Sequence, residues 1–329
     1  MGNYDYATDP SVPVGSTWID APYVRDTSTG ALLHQNYRNT SLRSWTYENI
    51  FNEGISIREQ LTLFWHNHFG VGENQDPKFW YRHITLLRTY AWGNFKELIK
   101  KINVDPLMLR FLNGNQNTVN APNENYGREV LELYTIGKGP LAGPGDYTNY
   151  TEQDIREVAR ALTGWRDQGY NTVDANTKVG SFFRISSHDT KTKKLSHRFD
   201  NREITNGFDK EHETVVDIIF TKSEVARFIC RKLYRWFVYY EISADVEQNV
   251  IAPMADILIQ NNYEIKPALR ALLQSEHFFD ALNIGPMIKN PLDFSINFIK
   301  QIGWSALNAA DLANRHRAFN TLFREVSNQ

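Results

Sequence analysis

The stretch Pro122–Gly137, PNENYGREVLELYTIG, concentrates the side chains best suited to chemistry. It holds three carboxylates (Glu124, Glu129, Glu132), one arginine (Arg128), two asparagines (Asn123, Asn125) and two tyrosines (Tyr126, Tyr134). Val130, Leu131, Leu133 and Ile136 lie among them, so part of the stretch must be buried. On a helix Glu129 and Glu132, three apart, share a face, and Arg128 reaches both Glu124 and Glu132 at a spacing of four. Two readings stay open. One is an arginine-buffered carboxylate pair, with one member raised in pKa as a general acid or both acting as metal ligands. The other is a salt-bridge and capping network, with Asn123 as N-cap and Glu124 favoured by the positive end of the helix dipole.

Trp65-His66-Asn67-His68 is the second candidate. Histidines two apart point to nearly opposite sides of a regular helix, so His66 and His68 are weak joint metal ligands. His68 falls on the apolar face with Leu61, Phe64 and Trp65. There it is either a hydrogen-bonded core residue or, if it meets Glu129 or Glu132, half of an acid–base pair. The third candidate is His188-Asp189 with Lys193, which reads as either a functional loop or ordinary turn chemistry. Trp165 after Thr163-Gly164 either walls a cleft or stops a helix. No glycine-rich phosphate loop follows a strand and no GxSxG elbow is present. Cys230, the single cysteine, sits in an apolar run and reads as a buried, inert thiol that forms no intramolecular disulfide.

These candidates must be positioned mostly by helices. Apolar spacing and end signals predict helices from near Trp45, then over 56–69, 79–90, 94–102, 105–112, 123–136 and 152–162. After Gly207 further helices are expected over 211–220, 223–240, 246–261, 267–274, 286–302 and 309–326. Ser56/Glu59 and Thr221/Glu224 read as capping boxes, and Thr151–Asp154 carries a similar N-terminal signature. Helical periodicity stops between Asp167 and Asn206, where 179–185 and 194–199 read as strands around a turn. The expected fold is mainly α: an irregular multi-helix bundle of paired helices with a small β-hairpin insert around residues 179–199. Residues 1–31 read as an irregular lead and 32–329 as a single helical domain, with the insert at about 167–206.

Composition narrows the function classes. The chain has 329 residues and a net charge of −2, so it lacks the basic excess of a nucleic-acid binder. The short basic run Lys191–Lys194 with Arg198 reads as a solvated turn. No apolar run approaches a membrane span. No signal-peptide pattern is legible at Met1, where the lead reads as trimmed. The 13% aromatic content suits a bulky core or a surface that stacks on sugars.

In chain order from Arg58 to Trp304 the sequence resembles the bacterial family called domain of unknown function 1800. The likeness runs through WHNHF (65–69) and WGNFKELIKKINVDPLMLRFLNGNQN (92–117), then HDTKTKKLS (188–196), RKLYRWFV (231–238) and IKNPLDF (288–294). It is strongest at PNENYGREVLELYTIG followed by YTEQDIREVARALTGW (150–165). Two positions depart from the family pattern. Gly127 stands where alanine is usual, and Lys191 stands where a glycine follows His-Asp. The resemblance implies an exported protein, periplasmic or extracellular, often encoded beside a second exported family, and it implies no activity.

The residues together support an acid–base enzyme, hydrolase or lyase, acting on a glycan or other polar polymer. Its candidate catalytic residues are Glu129, Glu132, His68, Arg128, Glu124, His188 and Asp189, and its candidate substrate contacts are Asn123, Asn125, Tyr126, Trp65, Trp165 and Lys193. No cofactor is expected beyond a divalent metal, for which His66, His68 and Glu129 are the candidates. The alternatives are a metal-binding protein and a non-enzymatic scaffold that works with an exported partner.

Overall fold

The computed structural model describes residues 9, 11–12, 16–72, 75–283, 285, 287–304, 311, 314–318 and 321. The described chain is mainly helical. Helices α1 (Gln35–Asn52), α2 (Arg58–Phe69), α3 (Pro77–Thr89), α4 (Phe95–Ile102) and α5 (Pro106–Phe111) lead to α6 (Glu124–Glu129). The last continues directly into a π-helix, π1 (Val130–Thr135). Then follow α7 (Glu152–Ala161), α8 (Glu211–Ile219) and α9 (Ser223–Phe237). The C-terminal part holds α10 (Ala244–Val246), a second π-helix (Glu247–Ile251), α11 (Ala252–Gln260), α12 (Ile265–Leu273) and α13 (Pro291–Gln301). The helix expected over 309–326 lies for the most part outside the described residues.

One apolar core joins α2, α4, α5, α6, π1, α7, α8, α9, α11 and α12 through Trp65, Phe95, Leu109, Val130, Ile155 and Leu233, among others. α1 begins ten residues before the Trp45 signal. Its polar first turns are held by tertiary contacts that local pattern does not show. Buried Arg38 pairs with Asp9 at 2.8 Å and donates to the Ala21 carbonyl, and the Trp18 indole N–H donates to Ser41. The described part of the lead is thereby strapped across α1.

The end signals divide into local and tertiary cases. At α7 the Thr151–Asp154 box forms in both directions. At α2 it does not: Ile57 is the N-cap, and Glu59 turns instead to Arg88, which binds it at 2.7 Å. At α9 the N-cap is Lys222, and the Thr221 hydroxyl donates to the Ile218 carbonyl.

The β content is three two-stranded antiparallel sheets, in which the strands pair differently from the expected hairpin. β1 (Leu141–Gly143) pairs with β2 (Asp146–Tyr147). β3 (Trp165–Gln168) pairs with β4 (Gly180–Phe183), and β5 (Lys193–Lys194) with β6 (Glu203–Ile204). Strand 180–183 therefore returns to the end of α7, and residues 197–199 form a short 3-10 turn rather than a strand. Lys191 stands in the glycine position with no left-handed backbone, so this loop conformation does not depend on glycine.

Candidate functional site

Helix α6 is set in place by its cap. The Asn123 side chain accepts from the Tyr126 backbone N–H at 3.1 Å and donates to the Leu112 carbonyl at 2.8 Å. Tyr126 is buried and its hydroxyl donates to the Asn103 carbonyl at 2.7 Å. Gly127 faces α7 so closely that a β-carbon there would stand 2.6 Å from the Ile155 carbonyl oxygen. An alanine here would need α6 and α7 to stand further apart. At the far end Gly137 takes a φ of 74°, with no room for a β-carbon beside Phe228.

The π-helix changes which side chains meet. Thr135 donates to the Val130 carbonyl at 2.6 Å, filling the widened turn. Arg128 pairs with neither Glu124 nor Glu132, contrary to the i, i+4 expectation. It instead grips Glu152 on α7 with two bonds, 3.0 and 2.8 Å. Two parallel N–H donors matched to one carboxylate outweigh a single contact along the helix. Glu132 accepts from the Tyr150 hydroxyl at 2.6 Å, and Lys138 approaches the same oxygen at 4.0 Å.

Glu129 is different. It is half-buried, one of its carboxylate oxygens is sealed from solvent, and that oxygen has no hydrogen-bond partner among the described residues. Burial, and next the charge of Glu132, raise its pKa above the ordinary value, with Arg128 pulling the other way. A buried polar atom without a partner is uncommon and calls for a functional or ligand-related reason. π-helical turns also recur at functional sites. Glu124 and Asn125 lie exposed on the first turn of α6.

His68 does not join this carboxylate pair. Its Nδ1 receives Lys232 Nζ at 3.0 Å and its Nε2 lies 3.1 Å from the Tyr134 carbonyl oxygen. An ammonium only donates and a carbonyl only accepts, so the ring is the neutral Nε2–H tautomer. Burial, then Lys232, hold its pKa well below the usual value, and burial lowers Lys232 to about 8. With both nitrogens engaged, His68 has no lone pair for a metal. His66 lies apart, stacked on Trp80 with ring centroids 5.4 Å apart. Among the described residues no group of three or more His, Cys, Asp or Glu side chains could hold a metal ion. Trp65 is 0% exposed and its indole N–H donates to the Ala91 carbonyl. Trp65 and Tyr126 are therefore core residues that no substrate reaches in this structure.

The His188–Lys193 loop holds a second polar cluster, in which His188, Asp189 and Lys193 are buried. His188 Nε2 lies 3.1 Å from one oxygen of Glu211, at the start of α8, and Lys193 Nζ lies 2.5 Å from the other. Lys193 and Glu211 are both 0% exposed, so Lys193 is not part of a solvated turn. Lys193 also donates to the Asp189 carbonyl. His188 Nδ1 lies 2.8 Å from the Thr163 carbonyl oxygen. The Asp189 carboxylate takes Arg160 Nε at 2.7 Å; burial pushes its pKa up, but that bond, the Lys191 N–H and the charges of Arg160 and Lys193 together lower it. These bonds tie the end of α7, the loop and α8 together. Half-buried Trp165 packs edge-on against His212 and Phe183. Cys230 is buried, and burial pushes its thiol pKa up.

Sequence reasoning missed Tyr150, Glu152, Lys232 and Glu211. Tyr150 and Glu152 open the stretch that follows the signature helix, so a search for partners of Arg128 there would have reached them. Lys232 and Glu211 carry no local signal, because each acts on a residue far away in the chain.

Comparison with known proteins adds one result. A family model described as "Protein of unknown function (DUF1800)" matches residues 16–328. The chain belongs to this family. No curated protein and no solved structure matches it. The family signature contributes α6, π1 and α7, so the unpartnered Glu129 lies at the centre of what most identifies the chain.

Proposed function

We propose that the surface of α6 and π1 is an acid–base site. Glu129 acts as general acid, its pKa raised by burial and the neighbouring Glu132 charge. Glu132, oriented by Tyr150, is the second carboxylate. Two carboxylates in unlike surroundings are how one surface runs acid and base chemistry together. Arg128 and Glu152 brace the crossing of α6 on α7, with Glu124 and Asn125 at the exposed edge. The substrate class we infer is a glycan or other polar polymer, cleaved by hydrolysis or elimination, with Lys138 and Tyr147 flanking Glu132. Export to the periplasm or beyond, and an exported partner, accord with the family. No described helix is long and apolar enough to cross a membrane.

The observation that carries this reading is the sealed, unpartnered Glu129 oxygen. The test is a panel of polysaccharides assayed for new reducing ends and unsaturated products. Glu129→Gln should lose activity by about 10²–10⁴-fold, the range for a general acid, while keeping its circular dichroism and melting temperature. Retained activity in that variant, or its unfolding, would make the cluster a scaffold instead.

A further inference from the structure

A second site lies on the opposite side of α2, in residues the acid–base reading does not use. Helices α1, α2 and α3 enclose a pocket of about 300 Å³. That is at the lower end of the range for small-molecule sites, about 300–1,000 Å³. Leu42, Leu63, Trp80 and Ile84 make its walls largely apolar. Asn39, Thr46 and Thr62 also line it, and two further polar residues matter most for a ligand. The first is His66, whose ring stacks on Trp80 and whose nitrogens have no hydrogen-bond partner among the described residues. Burial, and next the nearby His83, lower its pKa to about 4, so at neutral pH it offers one donor and one acceptor. The second is Arg43, exposed at the rim and paired with no carboxylate among the described residues. Glu59 also lines the pocket, but Arg88 binds it with two nitrogens, so its charge is already met. The uncompensated charge on the described lining is thus a single cation, and the same largely apolar chamber is lined by a neutral hydrogen-bonding ring.

We propose that this pocket binds a small apolar monocarboxylate, its chain or ring between Leu42, Leu63 and Ile84 and its carboxylate at the Arg43 and His66 end. The WHNHF motif then divides its labour: Trp65 and His68 hold the core, and His66 faces the ligand. The proposal stands independently of Glu129.

Isothermal titration of the whole chain tests it, with octanoate and phenylbutyrate as probes and octanol and phenylbutanol as neutral counterparts. At least one carboxylate should bind saturably at one site. Arg43→Gln should weaken that carboxylate about tenfold and leave the matching alcohol unchanged. His66→Phe keeps a ring against Trp80 and should weaken both forms several-fold. Leu63→Trp, filling the pocket, should abolish binding; should it fail to fold, the two polar variants still decide. Absence of saturable binding by either carboxylate, or affinity unchanged in both Arg43→Gln and His66→Phe, would overturn the proposal. Glu129→Gln should leave this binding unchanged, which separates its failure from that of the acid–base site.

Discussion

Two clusters of charge flank α7, and they are built on opposite rules. On one side His188, Asp189, Lys193, Glu211 and Arg160 are bonded to one another and to backbone, with Lys193 and Glu211 entirely out of solvent. On the other side Arg128, Glu132 and their partners leave Glu129 with a sealed oxygen that has no hydrogen-bond partner among the described residues. A completed buried network specifies one packing, and it is costly to break at any member. An incomplete one costs stability as it stands, and the group left over calls for an explanation such as a ligand, a water or a catalytic role. Both clusters carry the residue types of an active site. The difference between them is whether a carboxylate oxygen is left without a bond to the described residues.

The widest gap between the clusters should appear in stability. Lys193→Met strands the Glu211 carboxylate in a dry interior and should cost about 3–5 kcal/mol in urea unfolding. A loss below about 1 kcal/mol would mean that the loop hydrates freely, and the contrast would fail. Tyr150→Phe removes one bond from the half-buried Glu132 and should cost about 1 kcal/mol. Arg128→Ala breaks a pair that is about one-third exposed on each side. It should cost no more than about 1 kcal/mol, less in high salt.

Glu129→Gln is the smallest change at neutral pH and the most telling in its sign. The folded pKa of Glu129 lies above the ordinary 4.5. Between the two values the folded protein keeps a proton that the unfolded chain has released, so stability falls as pH rises. The contribution of the protonated carboxyl is fully present below 4.5 and is lost as pH climbs through the folded value. Wild type should therefore lose stability over that interval relative to Glu129→Gln, and the variant should be no less stable than wild type at pH 7. Parallel pH profiles for the two proteins would remove the distinction on which the site rests.

What the sequence shows of this arrangement follows from the range of the forces involved. The Thr151–Asp154 cap was legible because both partners lie within one turn. The cap expected at Ser56–Glu59 was not, because Arg88, far along the chain, takes Glu59 with better geometry. Helix positions through the core follow apolar periodicity, while the start of α1 escapes that pattern because Asp9 and the Ala21 carbonyl hold its polar first turns. The same limit governed the site. His188, Asp189 and Lys193 stood out as a motif, but their role depends on Glu211, which no local pattern marks. Glu129 stood out only as one of three acids, since lacking a partner is a property of the folded surroundings. Neither the π-helix after Glu129 nor the reach of Arg128 to Glu152 leaves a signature in apolar spacing.

The central claim is that Glu129 is an unpaired acid rather than a member of a salt-bridge network. Carbon-13 NMR titration of the labelled glutamate carboxyls, with the Glu129 signal assigned by its absence in Glu129→Gln, reads this directly. A midpoint above 4.5 is the predicted result. A midpoint at or below 4.5, as a hydrogen-bonded or arginine-paired carboxylate would give, would contradict it.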